Sequence, residues 1–245
     1  MFLKGFFIFT FYASATAHII GFLLQISKMQ KVLLAISLVF IGFNSYAAEL
    51  NIPNVLKTGD ASNGSSLVAT CAACHGNDGN SINADWPSLA GQNQKYLYNQ
   101  LNYFISGERE NALMMSVIPY LKSLSSNDLL DIAAYYADSS ASVGQADSNP
   151  ELLSLGESLY RAGDLSRGIP ACTACHSIYG EGNIQAGFPK IAGQQKGYLV
   201  STLKEYRSQI RDTGNYSIVM QQASANLKDK DIEALANYMH GLYRK

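Results

Sequence analysis

Two short stretches decide the fold of this chain: CAACHGNDGN at residues 71–80 and CTACHSIYGEGN at residues 172–183. Each begins with Cys-x-x-Cys-His, and together they contain all four cysteines of the 245 residues. The whole chain has four histidines, and two of them directly follow a cysteine pair. An explanation of the cysteines must therefore also account for these histidines.

The two motifs belong to a longer internal repeat. WPSLAGQNQKYL, from Trp86, matches FPKIAGQQKGYL, from Phe188. LSSNDLLDIAAYYA, from Leu124, matches LKDKDIEALANYMH, from Leu227. With the cysteine motifs, these stretches make three anchors in the same order, 101 to 103 residues apart. Self-similarity at a fixed spacing indicates that one domain has been duplicated.

Both halves have the apolar periodicity of α-helices. Apolar residues recur at helical spacing after the second anchor of each half and again near its end. The last helix is predicted to start at an N-cap, Ser126 or Asn127 in the first half and Asp229 in the second. We expect three helices in each half, and no run alternates convincingly between apolar and polar residues. The predicted fold class is all-α.

The first part of the chain is interpreted as a leader, residues 1–47. MQKVLLAISLVFIGFNSYAA, from Met29, has a basic start, an apolar core and small residues before a cleavage site after Ala47. We expect translation to begin at Met29. In the alternative, residues 1–28 form a membrane segment, because they are also apolar. The remaining chain is divided into a first domain, a linker and a second domain, at 48–140, 141–150 and 151–245.

Charge narrows the class of partner. Without the leader the chain has 15 Lys and Arg against 19 Asp and Glu, a net charge of −4, which argues against nucleic acid as a partner. Residues 48–150 carry a net charge of −6, and residues 151–245 carry +2. This asymmetry can steer the encounter with partners of opposite sign.

Several kinds of site use cysteine pairs. Disulfides are common in exported proteins, four thiolates can hold a structural zinc ion, and a single pair can be a thioredoxin-like redox centre. None of these explains the histidine that follows each pair. Covalent haem attachment does, because two thiols form thioethers with one porphyrin and the adjacent imidazole binds its iron. We therefore predict two covalently bound haem c groups, held by Cys71, Cys74 and His75, and by Cys172, Cys175 and His176.

The sixth iron ligand determines what such a protein does, because methionine closes the site whereas an open position permits chemistry on a small molecule. In the second half Met220 is our predicted ligand, and Met239 is assigned to the core. The first half offers Met114 and Met115, which cannot both face the same iron. We choose Met115 and keep Met114 as the alternative.

On these residues the sequence resembles the dihaem cytochrome c4 family. The most specific stretch is LGESLYRAGDLSRGIPACTACHSIYGEGNIQAGFPKIAGQ, residues 155–194, and TCAACHGNDGN followed by PSLAGQ is similar to the family's first domain. The resemblance implies two tandem class I cytochrome c domains with His/Met ligation. It also implies that Pro87 and Pro189 offer their carbonyls to the ligating histidines. Ser177 departs from the family pattern, which has glycine there, and we expect only a local effect on the turn.

The resemblance implies a periplasmic electron carrier between a quinol-oxidising complex and a terminal oxidase, with no small-molecule substrate. One alternative is a dihaem enzyme, such as a peroxidase or a thiosulfate-oxidising dehydrogenase. Such an enzyme would need a displaceable iron ligand, and we expect His240, the remaining histidine outside the leader, to be a surface residue. The other alternative is a haem subunit of a membrane respiratory complex, anchored by residues 1–28; otherwise membrane contact is through partners.

Overall fold

The computed structural model of the chain describes residues 59–244. The leader, Met29, the cleavage site after Ala47 and residues 48–58 lie outside this range, so the predictions made for them remain predictions. Residues of both halves belong to one compact unit. Among the described residues, no helix combines the length and the apolar character that are needed to cross a bilayer.

Within residues 59–244 each half has five α-helices and one 3₁₀ turn. The first half contains α1 (Ala61–Ser65), α2 (Ala69–His75), α3 (Gln94–Ser106), a 3₁₀ turn (Met114–Ser116), α4 (Ile118–Ser123) and α5 (Ser126–Asp138). The second half contains α6 (Pro150–Ala162), a 3₁₀ turn (Leu165–Arg167), α7 (Thr173–His176), α8 (Lys196–Arg207), α9 (Ser217–Ser224) and α10 (Asp229–His240).

The all-α prediction is confirmed. The extended pairing in the described range is limited to two isolated bridges, Asp164 with Ile169 and Asn183 with Phe188. The prediction of three helices in each half was too low. The additional helices include short ones, such as α1 with 5 residues and α7 with 4. Helices of about one turn contain too few residues to show apolar periodicity.

The first and last helices of each half cross at a glycine. A Cβ atom on Gly64 of α1 would lie 2.1 Å from the carbonyl oxygen of Asp131 in α5. A Cβ atom on Gly156 of α6 would lie 2.2 Å from the carbonyl oxygen of Ala234 in α10. Both distances are too short for any side chain, so the absence of a Cβ lets the helix backbones touch. The same crossing in both halves agrees with the duplication inferred from the sequence.

Apolar side chains from the last helix and from the long helix before it belong to the core of each half. In the second half the buried cluster joins α6, α8 and α10 and includes Tyr160, Leu199, Ile232 and Leu235. Met239 is 3% exposed and belongs to this cluster, as the sequence predicted. In the first half, two smaller clusters join α3 with α5 and α3 with α4.

The N-caps of the last helices lie one or two residues before the predicted positions. Ser125, and not Ser126 or Asn127, caps α5, because its hydroxyl accepts a hydrogen bond from the backbone N–H of Asp128. That aspartate in turn accepts from the backbone N–H of Ser125, which completes a capping box. In α10, Asp229 is the first helical residue and Lys228 occupies the N-cap.

The connection between the halves runs from Ser139 to Asn149, and Pro150, which we assigned to the linker, is the first residue of α6. Asn149 caps that helix by accepting from the backbone N–H of Leu152. The linker is attached to the last helix through Asn237, whose side chain accepts from the N–H of Asp147 and donates to its carbonyl.

Replacement of Gly156 by alanine should destabilise the protein, because the new methyl group must push α6 away from α10. We expect the free energy of unfolding to fall by about 1–3 kcal/mol, the usual range for overpacking. Chemical denaturation would measure it. Ser158→Ala, at an exposed position of the same helix, is the control and should change stability little. Equal stabilities for the two variants would contradict the close helix crossing.

Candidate functional site

A large cavity brings the two cysteine motifs into one space. Its volume is about 1020 Å³, and residues of both halves line it. Its walls are mostly apolar, formed by side chains such as Leu97, Phe104, Leu199 and Leu203. The lining also includes the residues of both motifs: Cys71, Cys74, His75, Cys172, Cys175 and His176. A cavity this size exceeds the space that most single small ligands occupy in proteins.

His75 is the last residue of α2 and is buried, with 9% of its surface exposed. Its Nδ1 atom lies 2.7 Å from the carbonyl oxygen of Pro87. A carbonyl can only accept, so Nδ1 carries the proton and Nε2 keeps its lone pair. Burial lowers the pKa of His75, and the hydrogen bond to Pro87 only partly offsets this effect. The imidazole is therefore neutral, fixed in one tautomer and able to bind a metal through Nε2.

His176 has the same arrangement in the second half. It ends α7, and its Nδ1 donates to the carbonyl of Pro189 at 2.9 Å. Burial again lowers the pKa of the imidazole. The next residue, Ser177, has a φ of 70°, in the left-handed region that favours glycine. Its hydroxyl accepts from the N–H of Glu181, so the local turn keeps its shape with serine in this position.

None of the four cysteines is joined to another in a disulfide. Burial raises the pKa of Cys71 and raises that of Cys172 to about 12, so neither side chain is readily available as a thiolate ligand for a metal ion. No group of three or more His, Cys, Asp or Glu within residues 59–244 is arranged to hold a metal ion. The four sulfur atoms therefore do not come together as the tetrathiolate zinc site that the sequence left open.

The structure brings Met220, but not Met115, to the cavity. Met220 lies in α9, lines the cavity and packs against the core of the second half. In the first half it is Met114 that lines the cavity and packs against the core, whereas Met115 is 62% exposed and lies outside the lining. Both lie in a 3₁₀ turn, where successive side chains point about 120° apart, so only one can face inward. We therefore carry Met114, the alternative to Met115, into the proposal below.

A cluster that the sequence analysis missed lies in the cavity wall where the two halves meet. Arg211 is only 5% exposed, and its guanidinium donates to the hydroxyl of Tyr96 at 3.2 Å and to the side-chain oxygen of Gln100 at 3.3 Å. Arg109 donates to the same glutamine at 2.6 Å and to the hydroxyl of Tyr198 at 3.3 Å. The two arginines thus reach across to the tyrosine of the opposite half.

Within residues 59–244, the two arginines of this cluster are not paired with a carboxylate. Neither arginine takes part in an ion pair among the described residues, and the Nε atom of Arg211 is buried without a hydrogen-bond partner. Burial alone raises the pKa of Tyr198, but Arg211 and Arg109 outweigh it and lower the pKa to about 7. A buried cation usually has a paired anion, so the cluster is suited to an anionic group of a ligand.

The internal repeat of the sequence could have predicted this cluster, because its residues occupy equivalent positions in the two halves. Arg109 and Arg211 are 102 residues apart, as are Tyr96 and Tyr198, and each arginine is followed by an acidic residue. Their aromatic neighbours correspond as well, with Arg109 stacked on Phe104 and Arg211 on Tyr206. Alignment of the two halves over α3 and α8 would have found these pairs.

Haem fits this cavity. It is a flat, mostly apolar macrocycle with two carboxylates, and the cavity combines apolar walls with two arginines that have no ion-pair partner among the described residues. Each motif supplies two thiols and a neutral imidazole whose tautomer leaves Nε2 available. The chemistry of the residues therefore matches the covalent attachment that the sequence motifs predict.

Comparisons with known proteins agree with this chemistry. The family model for cytochrome c matches residues 61–138 and again residues 154–242. Cytochrome c4 of Pseudomonas aeruginosa is 42% identical over 185 residues, which cover 76% of this chain and 90% of that protein. The thiosulfate dehydrogenase electron acceptor of Thiomonas intermedia is 34% identical over 177 residues, covering 70% of this chain and 78% of that protein.

A solved structure shows the same architecture. Reduced recombinant cytochrome c4 from Pseudomonas stutzeri superposes with a TM-score of 0.71 and 43% sequence identity, covering 76% of this chain and 100% of that one. Two tandem cytochrome c domains, two Cys-x-x-Cys-His motifs in one apolar cavity and these relatives lead to a single assignment. The chain belongs to the cytochrome c4 family of dihaem electron carriers, and it has two covalently attached haem c groups.

Proposed function

We propose that this chain carries single electrons between a quinol-oxidising complex and a terminal oxidase in the periplasm, after export and cleavage behind Ala47. One observation carries the proposal: in each half a buried imidazole fixed by a proline carbonyl and a methionine line the same apolar cavity. Such a pair of ligands holds iron in both oxidation states without an open position for substrate. The proposal accordingly includes no small-molecule substrate.

The residue assignments follow from this placement. In the first half Cys71 and Cys74 attach the haem, and His75 and Met114 bind its iron. In the second half Cys172 and Cys175 attach it, and His176 and Met220 bind its iron. When bound, each haem supplies a one-electron ferrous and ferric couple. Pro87 and Pro189 orient the two imidazoles, and the apolar walls exclude water from both sites.

The protein contributes rigidity and charge to electron transfer. The hydrogen bonds from His75 to Pro87 and from His176 to Pro189 hold the two imidazoles in place. Little in the protein therefore has to move when an electron arrives or leaves. The buried guanidinium of Arg211 and the partly buried one of Arg109 favour the reduced state, because a positive charge stabilises an added electron. Their effect is larger than that of surface charges since the effective dielectric constant is lower in the interior.

The difference in net charge between the halves supports docking to redox partners. The first half carries a net charge of −6, whereas the second carries +2. We propose that the first half meets a basic surface on one partner and that the second half meets a different partner. Electrostatic steering of this kind raises association rates at low salt.

A second electron donor is favoured by one relative. The Thiomonas intermedia protein is named as an electron acceptor of thiosulfate dehydrogenase. A role as acceptor for a sulfur-oxidising enzyme uses the same closed haem sites and requires no catalysis by this chain. The alternative in which this chain itself is the enzyme requires an open or displaceable ligand position at one iron.

Two measurements distinguish these roles: carbon monoxide binding to the reduced protein, and reduction of the oxidised protein by each of the two electron donors. For a carrier, we expect the reduced protein to bind carbon monoxide slowly or not at all, and the oxidised protein to accept electrons from a purified quinol-oxidising complex. The rate of that reaction should fall as ionic strength rises. Rapid carbon monoxide binding by one haem would instead favour an enzyme, and reduction by thiosulfate dehydrogenase alone would favour the second donor.

Substitution of the two adjacent methionines tests the ligand assignment. Met114→Leu should remove the far-red sulfur-to-iron absorption band of one haem, so that about half of the protein's total intensity in this band remains. It should also lower the reduction potential of that haem. Met115→Leu is the matched control and should leave the spectrum unchanged, because this side chain is mostly exposed. Loss of the band in the Met115 variant would restore the assignment that the sequence suggested.

Removal of the buried positive charge tests the role of the arginine cluster. Arg211→Gln should lower the reduction potentials, because the electron added on reduction loses a nearby cation. Spectroscopic redox titration measures the change. Lys230→Gln removes a charge at an exposed position and should have a smaller effect, since water screens it. If both variants titrate like the parent protein, the cluster does not act on the haems.

A further inference from the structure

Two glutamines make matching hydrogen bonds across the boundary between the halves. Gln92 is 6% exposed, and its side-chain oxygen accepts from the backbone N–H of Lys190 at 2.7 Å. Its side-chain nitrogen donates to the carbonyl of Lys190 at 2.8 Å. Gln194, which is 7% exposed, pairs in the same way with Ser88, at 2.8 Å and 2.9 Å. Each glutamine therefore forms two hydrogen bonds with the backbone of one residue in the other half.

The two residues that accept this pairing, Lys190 and Ser88, directly follow the prolines that orient the histidines. The N–H of Lys190 and the carbonyl of Pro189 belong to one peptide group, and that carbonyl accepts from His176. In the same way, the N–H of Ser88 shares a peptide group with the carbonyl of Pro87, which accepts from His75. A continuous path of two hydrogen bonds and one peptide group thus joins each glutamine to the imidazole of the opposite half.

Such a path transmits polarisation. Resonance makes the two ends of a peptide group respond together, so an acceptor at the N–H increases the negative charge on the carbonyl oxygen. A more negative carbonyl is a better acceptor for the Nδ1–H group of the histidine. The imidazole then becomes a more basic ligand. A more basic ligand stabilises ferric iron relative to ferrous iron, and the reduction potential falls.

We propose that each glutamine is a positioning residue that tunes the reduction potential of the haem in the opposite half: Gln92 acts on the haem bound by His176, and Gln194 on that bound by His75. The proposal rests on the proposed function, in which these histidines bind the irons. It makes the potential of each haem depend on the other half of the protein. Separation or rotation of the halves would therefore change both potentials.

Other hydrogen bonds between the halves hold them together without this path. Gln195 is adjacent to Gln194, and its side-chain nitrogen donates to the carbonyl of Ser81, which belongs to neither proline peptide. Asn93 donates to the carbonyl of Phe188. A purely structural role for Gln92 and Gln194 would therefore be shared with Gln195, which makes this residue the matched control.

The test measures the two potentials separately in the full-length, haem-loaded protein. Met220→Leu first identifies which signal belongs to the second haem. Gln92→Met, which keeps the side-chain length but removes the acceptor, should raise the potential of the haem bound by His176 and leave the other unchanged. Gln194→Met should raise only the potential of the haem bound by His75. Gln195→Met should produce no such selective shift.

A direct readout accompanies the potentials. With ¹⁵N-labelled histidine in the reduced protein, the Nδ1–H resonance of His176 should move to lower frequency in Gln92→Met, which reports a weaker hydrogen bond to Pro189. If Gln92→Met does not fold, Gln92→Glu supplies the test, because its carboxylate is a stronger acceptor and should lower the potential of the haem bound by His176 more than the other.

Three outcomes would overturn the proposal: unchanged potentials in both methionine variants, a shift in the haem of the variant's own half, or an equal shift in Gln195→Met. In each case the methionine and histidine ligation would still be seen in the spectra, and the proposed function would stand. A parent protein without histidine ligation would instead contradict the proposed function itself.

Discussion

The hydrogen bond from a buried imidazole to a proline carbonyl is the interaction on which the rest of this structure depends. It fixes His75 and His176 in one tautomer, while burial in a cavity with mostly apolar walls keeps both imidazoles neutral. The loop between histidine and proline must return to the end of the helix to make it. That loop is fixed by two further hydrogen bonds in each half, from Leu89 and Ala90 to the carbonyl of Gly79, and from Ile191 and Ala192 to that of Gly180.

Duplication placed this arrangement in the chain twice and made the two copies complete each other. Arg109 and Arg211 reach the tyrosines of the opposite halves, and Gln92 and Gln194 reach the opposite proline peptides. The symmetry is not perfect. The imidazole of His240 donates to the backbone carbonyl of Gln194, while the corresponding position in the first half is an alanine, residue 137. Gln194 therefore has an additional anchor, and His240 is half-buried rather than the surface residue we expected.

The sequence was sufficient for the features that depend on covalent spacing and on long periodic segments. These include the two motifs, the duplication, the all-α class and the long helices. It was insufficient where a choice depends on a few degrees of backbone rotation or on contacts between distant residues. Met114 and Met115 are chemically identical neighbours, and only the 3₁₀ turn decides which one faces the cavity. The N-cap at Ser125 competed with adjacent residues that are equally good caps by composition.

The cavity that both halves share has a consequence for how the chain can be divided. Its lining is contributed by the two domains together, and the amide groups of four side chains at their boundary donate to backbone carbonyls of the other domain. A cut in the linker would expose apolar walls to water and leave those groups without their protein partners. The two domains are copies of one ancestral domain, and each now supplies hydrogen-bond acceptors to the other. A single domain produced from a gene fragment should therefore be prone to aggregation.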